Sequence, residues 1–347
     1  MTGRRGFRTS DYEFHLPPER VAQRPEGIRD ASRLLVVRRN AGSLEHRQFT
    51  DLPALLEPGD ILALNVTRVL RARLLGTRDS GAPAEVFLVK RLDEGRWEAM
   101  VHPGGKVRPG RTVFVAPELS VEIESITERR TRIVRLVTPL PEFEAIERFG
   151  HVPLPPYVRR PDEPGDAERY QTVFARESGS VAAPTAGLHF TPEVLERLTR
   201  RGVERAELVL HVGAGTFKPV EVEDPGEHRM HEEWFRLDRE TADRLNAARA
   251  AGGRVVAVGT TSLRTLESRV QEGGGYMPGE GETRIFIRPL HRVRGADALL
   301  TNFHLPRSTL IMLVAAMAGY ELTMHAYQQA IDHGYRFYSY GDAMLIL

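Results

Sequence analysis

The sequence predicts an α/β protein whose main domain has a largely parallel sheet flanked by helices, with an all-β, barrel-like domain inserted into it. The 347 residues exceed the usual size of a single hydrophobic core, which favours two domains. Strand and helix patterns alternate after residue 170, as in a parallel sheet. Short alternating apolar runs between residues 67 and 151 are typical of an antiparallel sheet or small barrel. We therefore assign residues 1–66 and 152–347 to the main domain and 67–151 to the insert.

The first half of the chain contains the first segment of the main domain and the whole insert. Two apolar runs, SRLLVV (32–37) and GDILALN (59–65), predict strands of the main sheet. The insert contains the strand-like runs RVLRARLLG, AEVFLVKRL, WEAMVHPG, RTVFVAP, LSVEIESI and TRIVRLV. A short helix then precedes Pro153, Pro155 and Pro156, which favour an extended connection back to the main domain.

The second half alternates strands with helices. Thr191 and Pro192 are the N-cap and first residue of a helix that ends near Gly202, followed by a buried strand at 206–212. A helix closed by Gly252 and the strand RVVAVGTT come next. The remaining predictions are the helix TSLRTLESRV, a loop at 273–282, the strands ETRIFIRP and ADALLTNF, the apolar helix STLIMLVAAMAG capped by Ser308, and a last strand or turn in YRFYSYGDAMLIL.

Composition excludes several classes of protein. The chain has no cysteine, which excludes disulfides, thiolate catalysis and cysteine-ligated zinc or iron–sulfur clusters. No apolar stretch approaches the roughly 18 residues of a membrane span, and the amino terminus lacks the apolar core of a signal peptide. We therefore expect a cytoplasmic, non-membrane protein. The net charge of +1 decides nothing about nucleic acid, since binding depends on local patches.

Two glycine-rich segments follow predicted strands and are candidate ligand sites. In AVGTTSLRTLES, Gly259 precedes three hydroxyl residues at a helix amino terminus, where N–H groups and the helix dipole favour an anion. Ordinary N-capping explains the same residues. HVGAGTFKPV (211–220) allows a ligand to approach the backbone, but it lacks the third glycine of a dinucleotide-binding fingerprint, and a tight structural turn remains the alternative.

Histidines supply the candidate acids and bases. Asn302 and His304 follow an apolar strand, in a loop position where a histidine is often functional. A structural role for His304 remains the alternative. His189, His228 and His231 complete the set. HRMHEEW does not have the HExxH spacing of zinc proteases, so no metal site is predicted. In the aromatic terminal segment, Asp342 and Arg336 are the polar candidates, with structural packing as the favoured role.

Taken together, these motifs resemble the S-adenosylmethionine:tRNA ribosyltransferase-isomerase family of the queuosine pathway. The resemblance runs in the family's order through almost the whole chain. Its segments include YEFHLPPERVAQRP, RDASRLLV, GDILALNVTRVLRARL, YQTVFARESGSVAAPTAGLHFT, LHVGAGTFKPVEVED, HRMHEEWF, VVAVGTTSLRTLES, TNFHLPRSTLIMLVAAMAG and YRFYSYGDAMLI.

The resemblance implies a reaction. The ribosyl part of S-adenosylmethionine is transferred to 7-aminomethyl-7-deazaguanine at the wobble position of tRNA and rearranged to an epoxycyclopentane, giving epoxyqueuosine-tRNA, adenine and methionine. S-adenosylmethionine is then a consumed substrate, and no separate cofactor is expected. The implied partner is tRNA with a GUN anticodon. We expect a monomer.

The reaction requires a base for the carbon next to the sulfonium, an acid or donor for departing adenine, and a holder for the amino-acid end. His189 and His304 are the leading acid and base candidates, His211 is the third, and Asp342 is a further catalytic candidate that orients them. The expected substrate-binding residues are Thr185, Gly187, Gly213, Gly215, Thr216, Thr260, Thr261, Ser262, Arg264 and Asn302.

For tRNA, we expect phosphate contacts along a seam of arginines, with solvated surface arginines as the alternative. An aromatic ring, Tyr170 or Phe190, is expected to stack on the unstacked wobble base. The predicted tRNA-binding residues are Arg68, Arg71, Arg73, Arg159, Arg160 and Tyr170.

The chain departs from the family's pattern at three places. Val66 stands where an acidic or amide residue is usual, Gly105 lies in PGGKVRPG where the family has PGKRLKPG, and Leu290 and His291 replace the end of a PGY motif. These departures affect local contacts rather than the implied reaction.

Three other functions compete with this interpretation. A methyltransferase would show a glycine-rich loop after its first strand and an acidic residue ending the second, which the sequence lacks. A non-catalytic RNA-binding module should be more basic, and a metal-dependent hydrolase needs ligand spacing that is absent. Release of free adenine would distinguish all three from the ribosyl transfer.

Overall fold

The computed structural model describes residues 5–213 and 219–347, and its largest feature is a nine-stranded sheet. In chain order its strands are β1 (Arg33–Arg38), β2 (Ser43–Gln48), β3 (Ile61–Asn65), β12 (Glu204–Leu210), β13 (Glu233–Leu237), β14 (Val255–Val258), β15 (Gly279–Thr283), β16 (Ala298–Asn302) and β17 (Ala343–Ile346). Their order across the sheet is β15-β13-β12-β3-β14-β16-β17-β1-β2.

The helices of the described chain are α1 (Leu52–Leu55), α2 (Glu142–Phe149), α3 (Asp166–Arg169), α4 (Pro192–Arg200), α5 (Arg239–Ala250), α6 (Thr260–Arg269), α7 (Thr309–Ala318) and α8 (Tyr320–Asp332). Six of these helices, α1 and α4 to α8, pack on the faces of this sheet, whereas α2 packs against the barrel. Successive side chains of a strand point to opposite faces. In β3, Ile61 and Ala63 accordingly join a core with α5, α6, α7 and α8, while Leu62 and Leu64 join one with α1 and α4. Burial on both faces explains the continuous apolar runs in the sequence.

The sheet is mixed, which corrects the prediction of a largely parallel one. Among its described pairings, β12–β3, β3–β14, β14–β16 and β17–β1 are parallel, and the other four are antiparallel. The reversal between β16 and β17 arises because two helices connect them. One crossover helix returns the chain to the starting end of a sheet, and a second, α8, carries it to the opposite end. Gly319 makes this bend with φ 86°, between helices inclined by 115°.

A closed six-stranded antiparallel barrel forms the second unit, as the sequence predicted. Its order is β10-β7-β6-β5-β8-β9. The interior is filled by apolar residues that include Leu88, Trp97, Val113 and Val134. The barrel strands are β5 (Arg73–Arg78), β6 (Pro83–Asp93), β7 (Arg96–His102), β8 (Thr112–Ala116), β9 (Leu119–Ile126) and β10 (Arg132–Val137). The insert's limits at 67 and 151 stay a prediction, and β4 (Thr67–Val69), which they include, pairs with β11 (Glu177–Ser180) outside them.

Around residue 285 the sequence pattern predicted the wrong local structure. The run ETRIFIRP is not a strand beyond Thr283, and the segment predicted as a loop contains β15, which pairs with β13. This strand was not predicted because its glycines have a low strand propensity. Gly279 has φ 152°, a backbone conformation that favours glycine. The apolar alternation at Ile285 and Ile287 reflects packing against the core, not strand pairing.

Among the described helices, no single one is both long and apolar enough to cross a bilayer. Only the bent pair α7 and α8 satisfies the length and composition together.

Candidate active site

A cleft of about 560 Å³ opens where β14 and β16 end, at the edge of the sheet where parallel-sheet proteins bind ligands. We call it the cleft. Residues from six separate segments of the chain form its walls, which explains why no short motif describes it. The lining residues are Tyr157, Ala182, Ala183, Pro184, Thr185, Ala186, Val212, Gly259, Thr260, Thr261, Thr301, Asn302, Phe303, His304, Leu305, Leu310, Tyr338 and Ser339.

The amino terminus of α6 forms one wall of the cleft. Gly259 precedes it with φ 90°, a conformation that favours glycine, and no side chain caps the helix. The first turn therefore retains N–H groups that can bind an anion. Thr261 is fixed by a 3.2 Å hydrogen bond from the Asn65 amide. Ser262 is fully buried and donates its hydroxyl to the Val258 carbonyl at 2.8 Å, so its side chain does not line the cleft.

His304 is the single imidazole that lines the cleft within the described part of the chain. It is 7% exposed, and its Nε2 lies 2.7 Å from the Thr301 hydroxyl. Its backbone N–H donates to the Tyr327 hydroxyl at 3.0 Å. Burial lowers the pKa of His304 to about 3, so the ring is neutral at physiological pH. Of the described residues, no Asp, Glu, Lys or Arg lines the cleft.

Asn302 presents an unsatisfied acceptor beside His304. Its Nδ2 donates to the Tyr338 carbonyl at 3.3 Å and to His189 Nε2 at 3.1 Å. Because a carbonyl can only accept, these contacts fix which end of the amide faces the protein. The remaining oxygen, Oδ1, is buried without a hydrogen-bond partner among the described residues. A buried acceptor without a partner is costly, so a ligand donor there would be favourable.

His189 lies behind Asn302 and does not line the cleft. Its Nε2 accepts from Asn302, so Nδ1 carries the proton and donates to the Ser32 hydroxyl at 2.8 Å. Burial, and then the charges of Arg29 and Arg336, lower the pKa of His189 to about 3. Both ring nitrogens are engaged, so the geometry favours a positioning role over the predicted proton transfer.

His211 also lies outside the cleft. Its Nδ1 is 2.8 Å from the Thr67 hydroxyl, its ring stacks on Trp234 with centroids 5.1 Å apart, and burial lowers its pKa to about 4. Gly179 is required here because a Cβ would lie 2.6 Å from the imidazole. The adjacent Gly213 donates its N–H to Glu233 at 3.0 Å. The predicted site residues Gly215 and Thr216 lie outside the described residues.

Other predicted site residues serve packing or neighbouring pockets. Asp342 accepts from the backbone N–H groups of Arg33 and Arg336, each at 2.8 Å, and thereby ties the terminal segment to β1. A Cβ on Gly187 would lie 2.7 Å from Thr172, so this glycine allows close packing beneath the cleft.

Arg264 forms a buried ion pair with Glu233 in a separate pocket of about 510 Å³, together with His228 and His231. Its Nη2 has no hydrogen-bond partner in the described structure. Thr185, by contrast, lines the cleft, and its contact with a substrate stays a prediction.

The predicted tRNA-binding arginines differ in their availability. Arg71 pairs with Glu147, Arg73 with Glu85 and Arg160 with the buried Asp166. Arg68 and Arg159 are exposed, and neither forms an ion pair with a described carboxylate.

The two aromatic rings expected to stack on the wobble base are buried, which corrects that expectation. Tyr170 is 1% exposed and packs edge-on against Tyr340, and Phe190 is fully buried between Phe49 and Phe174. Neither ring presents a free face to a base.

Three polar residues of the cleft were missed by the sequence analysis. Tyr157 and Ser339 share a hydroxyl–hydroxyl hydrogen bond of 2.6 Å, and Tyr338 adopts a left-handed backbone with φ 73°. For Tyr338 and Ser339, the polar aromatic segment YRFYSYGD is a usable signal, although packing explains the same residues. In the described residues, no group of three His, Asp or Glu side chains is placed to hold a metal.

The departures from the family pattern lie away from the cleft lining. Val66 is buried and its N–H donates to the Leu208 carbonyl at 2.9 Å. Leu290 is 81% exposed with φ 84°. Since this conformation favours glycine, Leu290 occupies a backbone position that the glycine of the usual PGY motif would adopt without strain.

Comparison with known proteins shows what the chain is similar to. The family model described as queuosine biosynthesis protein matches residues 9–346. An S-adenosylmethionine:tRNA ribosyltransferase-isomerase of Symbiobacterium thermophilum is 54% identical over 343 residues, covering 98% of this chain and 100% of that protein. Its namesake from Syntrophomonas wolfei is 48% identical over 344 residues, covering 98% and 97%. The crystal structure of S-adenosylmethionine tRNA ribosyltransferase from Thermotoga maritima matches with a TM-score of 0.56 at 40% identity, covering 97% of this chain and 99% of that one.

Proposed function

The chain belongs to the queuosine biosynthesis protein family, and from this premise we propose that it is an S-adenosylmethionine:tRNA ribosyltransferase-isomerase acting at the wobble position of tRNA. The acceptor is the aminomethyl nitrogen of 7-aminomethyl-7-deazaguanine, in tRNA with a GUN anticodon. Transfer and rearrangement of the ribosyl group yield epoxyqueuosine-tRNA, adenine and methionine. Identity of about half the residues over the full length of named relatives supports the reaction class.

The observation that carries this proposal is the chemistry of the cleft. Its described lining has no charged side chain, several hydroxyls and one neutral imidazole. A cationic sulfonium can enter without repulsion from lysine or arginine, and the aromatic rings of Tyr157, Phe303 and Tyr338 are suited to a cation.

The amino terminus of α6 is suited to the carboxylate of the sulfonium substrate. The N–H groups of its first turn have no side-chain cap, and the dipole of a ten-residue helix favours negative charge at this end. Thr260 and Thr261 line the cleft at the same place and add hydroxyl donors. Of the three hydroxyl residues predicted to contact the substrate, Thr260 and Thr261 therefore remain candidates, together with the backbone N–H groups.

His304 is the best-placed group for moving a proton. Its low pKa keeps the ring in the basic form at neutral pH, and its contact with the Thr301 hydroxyl orients it. The positive sulfur acidifies the C–H bond of the neighbouring carbon. The proton of this bond is the one that a base must remove. A substrate carboxylate bound nearby would raise the pKa of His304 and strengthen it as a base.

Asn302 supplies the acceptor that the substrates need. Both adenine and the aminomethyl group of the acceptor base carry N–H donors, and Oδ1 of Asn302 is a buried acceptor without a described partner. His189 and Ser32 hold this amide in place from behind. Asn302 and His189 thus act by orienting a substrate group rather than by exchanging protons.

The test is a mass-spectrometric assay of purified protein with S-adenosylmethionine and tRNA that carries the aminomethyl-deazaguanine base. We expect adenine release matched one-to-one by epoxyqueuosine in the digested nucleosides. The matched control is the same tRNA with guanine at the wobble position, which should release no adenine. Methylated nucleoside without adenine would indicate a methyltransferase and would refute the proposal.

A further inference from the structure

A second pocket lies on the other side of His189 from the cleft. We call it the arginine pocket because Arg29 and Arg169 both line it, within a volume of about 290 Å³. The other lining residues are Pro25, Glu26, Ser32, Leu188, His189, Ser339, Tyr340 and Gly341. None of the sequence predictions assigned this pocket a role.

The two guanidinium groups are held by backbone carbonyls instead of carboxylates. Arg29 donates to the carbonyls of Glu168 at 2.8 Å and Leu188 at 3.3 Å. Arg169 donates to those of Glu26 at 2.6 Å and Gly27 at 2.8 Å. Neither arginine forms an ion pair within the part of the chain that the structure describes. The positive charges are therefore fixed in place by neutral acceptors, with the Glu168 carboxylate acting on Arg29 only from outside ion-pair distance.

Donors remain available after these contacts. The Nε of Arg169 is buried and has no hydrogen-bond partner in the described structure. Burial, followed by the charge of Arg169, lowers the pKa of Arg29, which shows that the two like charges act on each other. The carboxylate of Glu26 lines the same pocket but is paired with Arg336. Two adjacent guanidiniums with spare N–H groups suit an anion with several oxygens.

The arginine pocket and the cleft share a wall. Ser339 lines both, and the hydrogen-bonded pair of His189 and Asn302 reaches from one to the other. An anion in the arginine pocket therefore lies one side chain away from the reacting groups. A nucleotide has this layout, with a phosphodiester adjacent to a base that must be unstacked for chemistry.

We propose that the arginine pocket binds a backbone phosphodiester of the tRNA next to the modified nucleotide, with Arg29 and Arg169 as its ligands. This assignment rests on the proposed function, because it needs tRNA as the substrate. Phosphate contacts fix register and orientation without reading sequence. The contact would hold the wobble nucleotide so that its base enters the cleft past Ser339.

The test compares tRNA binding by three charge-removing variants over a range of salt concentrations. Arg29→Gln and Arg169→Gln should each weaken binding roughly tenfold at low salt and reduce the slope of log K against log salt by about 0.7, one contact on a single strand. The matched control is Arg269→Gln. Arg269 also donates to two backbone carbonyls, those of Met277 and Pro278, but lines none of these pockets. It should bind tRNA like the wild type.

A fourth variant separates charge from stability. Arg169→Lys keeps the positive charge but loses the fork that caps Glu26 and Gly27, so it should melt at a lower temperature while retaining most of the salt slope. This arm keeps the test decisive if Arg169→Gln does not fold.

Two results would overturn the assignment. The first is an unchanged tRNA affinity and salt slope in both glutamine variants. The second is a rise in the Kd of S-adenosylmethionine with tRNA binding intact, which would assign the pocket to the sulfonium's carboxylate. Binding requires no turnover, so failure of adenine release would refute the proposed function without affecting this measurement.

Discussion

The cleft and the arginine pocket are neighbours with opposite electrostatics. The described lining of the cleft is uncharged, whereas the arginine pocket contains two guanidiniums without carboxylate partners. Between them lies His189, an imidazole whose pKa is lowered to about 3 and which is therefore neutral. The comparison teaches how one site can accept a sulfonium cation and a polyanion together. In the proposed arrangement the two charges bind in separate pockets, and the wall between them adds none.

The largest expected effect tests the chemistry of the cleft. His304→Ala should lower kcat roughly 100-fold or more, because the single imidazole of the described lining is lost. The salt dependence of tRNA binding should not change. Single-turnover adenine release gives the rate, and filter binding gives the affinity. His46→Gln is the control, since His46 bonds Tyr335 at 3.0 Å and lines neither pocket. An unchanged kcat in His304→Ala would exclude this residue as the proton carrier.

An effect of intermediate size concerns the neutral His189 imidazole between the two pockets and the pH dependence of stability. The pKa of His189 is about 3 in the folded state and near 6.5 when unfolded, so the unfolded chain binds the proton first as the pH falls. The stability from neutral His189 is therefore complete above about pH 6.5 and is lost towards pH 3. The contribution to the slope is about 1.4 kcal/mol per pH unit.

Urea unfolding of the wild type and His189→Gln between pH 4 and 7 measures this term. The variant should be less stable at pH 7, and this deficit should shrink towards pH 4 because its slope is shallower. Carboxylates such as Asp60 contribute equally to both proteins and cancel in the difference. Parallel curves would mean that His189 is not held neutral.

The smallest effect adjusts the charge of the arginine pocket. Glu26→Gln removes its carboxylate and leaves Arg336 without its partner, which adds one positive charge. We expect tRNA to bind about two- to threefold more tightly at low salt, and the gain to vanish at high salt, where exposed charges are screened. Glu196→Gln, which breaks an exposed pair with Arg200 on α4, is the control. Equal behaviour of the two variants would contradict a local role for Glu26.

The sequence predicted those parts of the fold that local patterns determine. Thr191 and Ser308 cap their helices as expected, accepting from the N–H groups of Val194 and Ile311. The direction of β17 was not predictable in this way. It depends on α8, and Gly319 reads equally well as the end of one helix or as a bend between two. Parallel or antiparallel pairing is a property of the whole connection, not of any strand.

The candidate site shows the same division. Thr260, Thr261, Asn302 and His304 come together in the cleft because they lie at the ends of β14 and β16, and Thr185 joins them from the segment after β11. The sequence could not distinguish His304 from His189, because which ring nitrogens are already bonded depends on residues as distant as Ser32. Tyr157, Tyr338 and Ser339 were missed for a related reason. Their aromatic segments also pack against the core, and burial and ligand contact produce the same pattern.

Ser339 connects the two pockets physically. It lines both, and its hydroxyl is bonded to Tyr157 in the cleft wall. A ligand on one side that shifts this serine alters the surface offered to a ligand on the other. Linkage then requires that bound tRNA changes the affinity for the sulfonium by the same factor by which the bound sulfonium changes the affinity for tRNA. One serine would thus make the two substrates cooperative without any change in the barrel or the sheet.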